Sequence, residues 1–226
     1  MRVALAAVRD RLAAACAAAG RASDEVTLVA VSKTHPAHDV RLLAELGVRD
    51  FGESRDQEAR RKSGELADGP QLRWHFVGRL QRNKCRSIAR YADCVHTVDR
   101  PELCDELEDG AARTRRLLRC LVQVSLDGDP VRGGMPARDV PALADRISAA
   151  AHLELAGVMA VAPQAWEPAR AFGELHAVAE RVRQQAPAAR IISAGMSADL
   201  EPAIAAGATH VRVGTALFGH RPPILR

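Results

Sequence analysis

The chain has very little aromatic surface and almost no lysine. One tyrosine, two tryptophans and four phenylalanines make up 3% of its 226 residues, too few for the stacking platforms that hold single-stranded nucleic acids. Its net charge of +4 and pI near 9.0 are spread along the chain rather than gathered in a stripe. The short clusters Arg60-Arg61-Lys62 and Arg113 to Arg116 read as solvated helix faces, so nucleic acid is not an expected partner. The five cysteines, Cys16, Cys85, Cys94, Cys104 and Cys120, are odd in number and show no C-x-x-C spacing. That argues against a disulfide framework or a zinc site and fits a reducing cytoplasm. No apolar run approaches the ~18 residues of a membrane span. The Ala-rich stretch at 12–19 is too weakly hydrophobic for a secretory signal. What remains, with 47% hydrophobic and 27% charged residues, is the composition of a globular domain able to build a sizeable core.

Short β-branched runs recur, each followed by an Ala/Leu/Arg/Glu-rich segment of helical length, the pattern of parallel β-α units. Eight strands are predicted, at Val26–Ser32, Arg49–Gly52, Arg73–Val77, Cys94–Val98, Leu118–Val124, Leu153–Ala160, Arg190–Ser193 and His210–Gly214. Helices are predicted near 37–46, 54–67, 82–92, 101–112, 136–150, 167–185 and 199–206. An amphipathic helix over residues 1–20, closed by Gly20, precedes them, and a short one at 215–219 follows. This is an α/β chain whose element count fits a single (β/α)8 TIM-type barrel with an additional N-terminal helix, occupying 1–226 as one domain. An open doubly wound sheet stays possible, because strand order is not written in the sequence. In a barrel, chemistry sits at the C-terminal ends of the strands, which points to the residues ending each run.

One of those is Lys33. Of 32 basic side chains only Lys33, Lys62 and Lys84 are lysines; the chain otherwise makes its positive charge from arginine. A guanidinium stays protonated and forms no imine, whereas an amine in a pocket can. Lys33 closes an apolar strand and is a Schiff-base candidate, set against the plainer reading of a strand-end lysine reaching into solvent. Lys62 falls within a charged helix and is expected to be solvated. Lys84 begins a helix after the third strand and could face the pocket, with the surface its expected place.

Barrel phosphate sites are commonly built from the loops after the seventh and eighth strands with a short helix N-terminus. Both loops are suitable here. Ser193-Ala-Gly-Met-Ser-Ala-Asp199 carries Gly195, where the backbone can approach a ligand, and hydroxyls that can donate; Pro202 then fits the first turn of a helix starting near Asp199. Gly214-Thr215 opens the last short helix with free amides and a hydroxyl. Alternation along the eighth strand puts Val211 and Val213 on one face and His210, Arg212 and Gly214 on the other. An inward Arg212 needs an acceptor, and a pyridine nitrogen would serve.

These stretches resemble the YggS/PROSC-type pyridoxal phosphate homeostasis proteins, themselves similar to the N-terminal barrel domain of alanine racemase (a fold-type III barrel). The matching segments are Leu28-Val-Ala-Val-Ser-Lys-Thr34, Arg49-Asp-Phe-Gly-Glu53 with Gln57-Glu58, Trp74-His-Phe-Val-Gly78 with Leu80 to Lys84, Val95-His96 with Val98-Asp99, and Gly195 to Leu200 through Gly207 to Thr215. The resemblance implies pyridoxal 5′-phosphate (PLP) as cofactor, a Schiff base on Lys33, and Arg212 facing the ring nitrogen. It further implies Ser54 near the cofactor, and Ser193, Gly195, Met196, Ser197, Gly214 and Thr215 in the phosphate cradle. An arginine at the ring nitrogen disfavours the pyridinium and makes the ring a poorer electron sink. Two departures stand out: Ser54 where many relatives have Asn, and His35 where they often carry a second lysine.

A two-base racemase needs a second proton donor, which alanine racemases take from a tyrosine of a separate domain. The only tyrosine here, Tyr91, falls late in the helix leading into the fourth strand. The expected role is therefore that of a carrier or regulator in intracellular PLP homeostasis, with no catalytic residue assigned. The expected protein is cytoplasmic and monomeric, and it exchanges cofactor with PLP-dependent apo-enzymes. The alternatives are a weak PLP-dependent amino-acid racemase and, more remotely, a lysine-imine aldolase. His35 precedes Pro36 in a turn and is poorly placed to share a metal with His38, so no metal is expected. Mid-strand His75 reads as a satisfied interior residue.

Overall fold

The computed structural model describes residues 1–219; the end of the predicted domain, 220–226, and of the matching stretch lie outside the described residues. Nine parallel strands form, β1 Thr27–Val31, β2 Asp50–Glu53, β3 Arg73–Phe76, β4 Cys94–Val98, β5 Leu118–Ser125, β6 Met135–Pro136, β7 Leu153–Met159, β8 Ile191–Ser193 and β9 His210–Val213. Their order runs β4-β3-β2-β1-β9-β8-β7-β5, and β4 pairs back onto β5, so eight strands close a barrel and the open-sheet alternative is excluded. Val95 and Val98 face Cys120 and Val122 across the closing pair, with an irregularity between them.

The helices are α1 Arg2–Ala18, α2 Ala37–Glu45, α3 Asp56–Glu65, α4 Cys85–Ile88, α5 Pro101–Thr114, α6 Val140–Ala149, α7 Pro168–Gln185, α8 Leu200–Ala205 and α9 Thr215–Phe218. The longest helices turn an apolar stripe inward; in α7, Phe172, Leu175, Val178, Ala179 and Val182 are buried at helical spacing. α1 buries Leu5, Val8, Leu12, Ala15 and Cys16 and packs on α8 and α9. The main core draws on residues from Leu5 to Leu217, with a second small cluster of Cys94, Leu121, Ala156 and Met159 beside it.

Two predicted elements differ. The helix expected over 82–92 is a 3₁₀ turn at Arg82–Lys84 followed by the single turn of α4. The helix expected from 136 begins at Val140, because Met135–Pro136 pairs with Val124 and Ser125 as β6, outside the closed ring. Gly157 in β7 sits at φ 148, and a Cβ there would stand 1.9 Å from the Ile191 carbonyl oxygen, so only glycine lets β8 approach at that point.

Candidate functional site

At the C-terminal end of the barrel a cavity of about 560 Å³ is lined by Val31, Lys33, Thr34, His35, Ser54, Val77, Val161, Met196, Ser197, Ala198, Arg212, Gly214, Thr215 and Gly219. Of the side chains singled out in the sequence, Lys33, Ser54, Met196, Ser197, Arg212, Gly214 and Thr215 meet there. Ser193 and Gly195 do not line it. Ser193 is fully buried and accepts from Arg212 Nη1 at 2.6 Å. Gly195, at φ 85, faces α8: a Cβ there would stand 2.6 Å from Ala203 Cβ. Its requirement for glycine comes from helix packing and a left-handed backbone, rather than from ligand approach.

The loop carrying Lys33 is held from below. The flanking Thr34 adopts φ 72, a left-handed conformation uncommon for a β-branched residue, and its amide donates to Glu58 Oε1. Ser32, fully buried, donates from Oγ to Glu53 Oε1 at 2.6 Å. The hub of these contacts is Lys62. Its Nζ donates to the Ser32 carbonyl at 2.7 Å, to Glu53 Oε1 at 2.6 Å and to Glu58 Oε1 at 2.8 Å, and the side chain is fully buried. The expectation that Lys62 is solvated is thus corrected: it lies on the inner face of α3, where two carboxylates compensate its charge. Burial pushes the Glu53 carboxyl above its ordinary range, against the pull of Lys62. The signal in the sequence was Glu58 and Lys62 at i, i+4, together with a lysine amid arginines. Lys84 is half-buried and lines a separate shallow cleft with Ser54, Gln57 and Arg79. His35, in place of a second lysine, stacks on Phe218 with centroids 4.8 Å apart.

Arg212 points inward from β9 and is 6% exposed. Its Nη2 donates to the Ala160 carbonyl at 3.0 Å, so with the Ser193 contact two of its five N–H donors are used. Burial, opposed by Asp199, lowers its pKa to about 10, which leaves it cationic at neutral pH. On the turn after β8, Asp199 Oδ1 takes the Met196 amide at 2.6 Å, so that amide is spent within the turn. The amides of Ser197 and Ala198 have no backbone acceptor among the described residues. Arg11 of α1 braces the same turn, donating to the Ser197 carbonyl at 3.1 Å and pairing with Glu201 at 2.7 Å. Thr215 starts α9; the Leu217 and Phe218 amides close on the Gly214 carbonyl at 2.9 and 3.0 Å, while those of Thr215 and Ala216 have no backbone acceptor among the described residues.

The cavity therefore offers an amine, a buried cation with free donors, and backbone amides on two turns. That donor set fits an aromatic aldehyde carrying a phosphate, such as PLP. Tyr91 is buried beside Asp56 and does not line the cavity.

Sequence reasoning saw His75 as a satisfied interior residue, and it is: Nε2 meets Asp50 Oδ1 at 3.0 Å and Nδ1 meets His96 Nε2 at 2.9 Å. It did not foresee the neighbourhood. Ligand-type atoms of His75, Cys94 and His96 lie within 4.8 Å of one another, whereas the pair weighed from sequence was His35 with His38. In the structure His35 Nδ1 lies 3.5 Å from Asp39.

Residues 3–222 match the family model of the alanine racemase N-terminal domain. The pyridoxal phosphate homeostasis protein of Mycobacterium tuberculosis is 46% identical over 237 residues, covering 96% of this chain and 92% of that protein. The structure of PipY from Synechococcus elongatus with PLP bound superposes with a TM-score of 0.80 at 38% identity, covering 86% of this chain and 93% of that one. Alanine racemase from Corynebacterium glutamicum, 19% identical, shares the fold with a TM-score of 0.68 across 98% of this chain and 63% of its own. The chain belongs to the family of pyridoxal phosphate homeostasis proteins, within the alanine racemase N-terminal domain family.

Proposed function

We propose that this protein binds pyridoxal 5′-phosphate as a Schiff base on Lys33 and serves intracellular PLP homeostasis by holding and releasing the cofactor. The observation that carries this reading is the convergence, in one cavity, of Lys33 from the end of β1 with the inward Arg212 and the turns at 196–198 and 214–215. Lys33 would supply the amine, Arg212 a donor to the ring nitrogen, and the amides and hydroxyls of Ser197 and Thr215 the phosphate cradle. Ser54, Met196 and Gly214 would flank the cofactor, while Ser193 and Gly195 act from beneath by fixing Arg212 and the turn. When bound, the cofactor supplies an electrophilic aldehyde and an electron-withdrawing ring. A cation at the ring nitrogen keeps that nitrogen unprotonated and the ring a weak sink.

The carrier reading is preferred to a weak racemase because, among the described residues, those lining the cavity include no tyrosine opposite Lys33. The same reading takes the chain as one domain, supported by a main core that draws on elements from α1 to α9. It also takes the protein as a cytoplasmic monomer that passes PLP to apo-enzymes. No helix among the described residues is long and apolar enough to cross a membrane.

The test is borohydride reduction of the protein loaded with PLP, followed by mapping of the modified peptide. Label on Lys33, and its loss in Lys33→Ala, is expected; label on another residue overturns the assignment. Amino-acid turnover that disappears in Lys33→Ala would favour the racemase.

A further inference from the structure

Five buried side chains form an unbroken file across the barrel interior. Arg212 Nη1 donates to Ser193 Oγ at 2.6 Å. Ser193 Oγ lies 2.9 Å from His96 Nδ1, His96 Nε2 lies 2.9 Å from His75 Nδ1, and His75 Nε2 lies 3.0 Å from Asp50 Oδ1. Asp50 in turn accepts from Arg73 at 2.7 and 2.6 Å. The file is built from β9, β8, β4, β3 and β2. It starts at the Lys33 cavity and ends at a cleft of about 530 Å³ on the opposite face, lined by Arg9, Arg49, Asp50 and Arg73 among others.

Its polarity follows from what each group can do. A guanidinium only donates and a carboxylate only accepts. Ser193 accepts from Arg212, and its own proton has one acceptor in reach, His96 Nδ1; any other arrangement strands a hydroxyl proton in a fully buried position. His96 must then carry its proton on Nε2 and give it to His75 Nδ1, which leaves His75 to donate from Nε2 to Asp50. Every proton points away from Arg212 and toward Asp50. Burial, reinforced by the neighbouring His75 and Arg212, holds His96 well below its ordinary pKa and hence uncharged. Asp50 stays ionised because hydrogen bonds from His75 and Arg73 outweigh the burial that opposes it.

Among the described residues Arg212 has no carboxylate in contact. Asp199 acts on it only through space, so the side chain's orientation depends on the neutral acceptors it touches, and a buried polar group is costly unless hydrogen-bonded. We propose that the Ser193–His96–His75–Asp50 file is a positioning relay that links Arg212 to the Asp50 carboxylate at the far end of the barrel, holding the guanidinium in one orientation toward the cavity. Chains of aligned hydrogen bonds polarise one another, so a change at Asp50 is felt at Arg212. The relay stands on the geometry alone. Only the identity of the acceptor that Arg212 meets rests on the PLP reading.

The deciding experiment is nitrogen-15 NMR of the histidine rings and the Arg212 guanidinium in the whole protein without cofactor. At neutral pH both His75 and His96 are expected as the Nε2–H tautomer. In Asp50→Asn and in His96→Leu, exchange of the Arg212 guanidinium protons is expected to quicken by about tenfold, the loss of one buried hydrogen bond. The double variant is expected to add little to either, as members of one network do. His96→Gln, whose amide can accept from Ser193 and donate to His75, is expected to restore slow exchange. Asp50→Asn, at the rim, keeps the test open if His96→Leu does not fold. An Nδ1–H tautomer at His96, unchanged Arg212 exchange in a folded variant, strictly additive effects, or one zinc ion per chain bound through His75, Cys94 and His96 would each overturn the relay. The absorbance of bound PLP in the same variants is the second readout, expected to shift wherever Arg212 exchange does. If the unmodified protein takes up no PLP, the functional reading falls, while the NMR result still decides the relay.

Discussion

Lys62 carries more of the site than its place in a charged helix implies. Three acceptors surround its ammonium, and two of the residues it holds, Ser32 and Glu58, fix the backbone on either side of Lys33. Removing one partner of a buried pair leaves the others uncompensated, which costs about 3–5 kcal/mol. Lys62→Met is therefore expected to lower unfolding free energy by that order in urea denaturation and to slow or weaken PLP uptake, although Lys62 itself does not line the cavity. Gly195→Ala tests a different constraint. The added methyl must displace Ala203 and occupy φ 85, so a loss of about 2 kcal/mol or more is expected, read as a lower denaturant midpoint. Sequence reading found Lys33 and Arg212 because a strand-end lysine and an inward arginine break local rules. It misplaced Lys62 because burial by two carboxylates is a tertiary fact: Glu53 arrives from β2, outside the helix that was being read.

At the level of elements, the eight barrel strands are legible because β-branched runs alternate with helical periods, and Cys94–Val98 matches residue for residue. The two-residue β6 carries no period to detect, and α4 is shorter than its composition implies because the chain turns at Ala89–Ala92 to enter β4. α1 shows what an element outside the barrel repeat can contribute. Its Arg11 bridges to Ser197 and Glu201, tying this helix to the turn that faces the cavity. The pair is exposed, and such pairs contribute less than about 1 kcal/mol to folding. Arg11→Ala is therefore expected to leave thermal stability within a few degrees of the parent while raising the Kd for PLP several-fold. Unchanged affinity by titration would show that the turn holds its shape unaided.

Across the whole molecule, the polar interior makes the fold sensitive to acid. Burial lowers His210 to about 4 and holds His96 well below its ordinary range, so both titrate in the unfolded chain before they do in the barrel. As pH falls from about 6.5 toward 4 the unfolded state binds protons that the folded state refuses, and stability declines through that window. His210 alone accounts for about 3 kcal/mol. Below about 4, protonation of Asp50, whose carboxyl is held low in the fold, removes more. Urea midpoints at pH 7.5, 6 and 5 are expected to fall in that order; a flat profile would mean that the interior histidines take up protons without unfolding. None of this was visible in the sequence, which reads mid-strand His75 as interior but does not say that its ring gathers with those of His96 and His210, the centroids within about 6.5 Å of one another.

The scarcity of lysine has a consequence for self-protection. A protein that shelters a reactive aldehyde is itself the aldehyde's nearest target. Here Lys62 is locked in a buried ion network, Lys84 is half-buried, and the remaining cations on the surface are arginines, which do not condense with carbonyls under mild conditions. The five thiols are all buried, with Cys85, Cys94 and Cys104 pushed up to about 12 by burial, so thiolate adducts are suppressed as well. On the proposed reading, Lys33 is the most exposed of the three side-chain amines an excess aldehyde meets, and the barrel resists being haptenised by its own cargo.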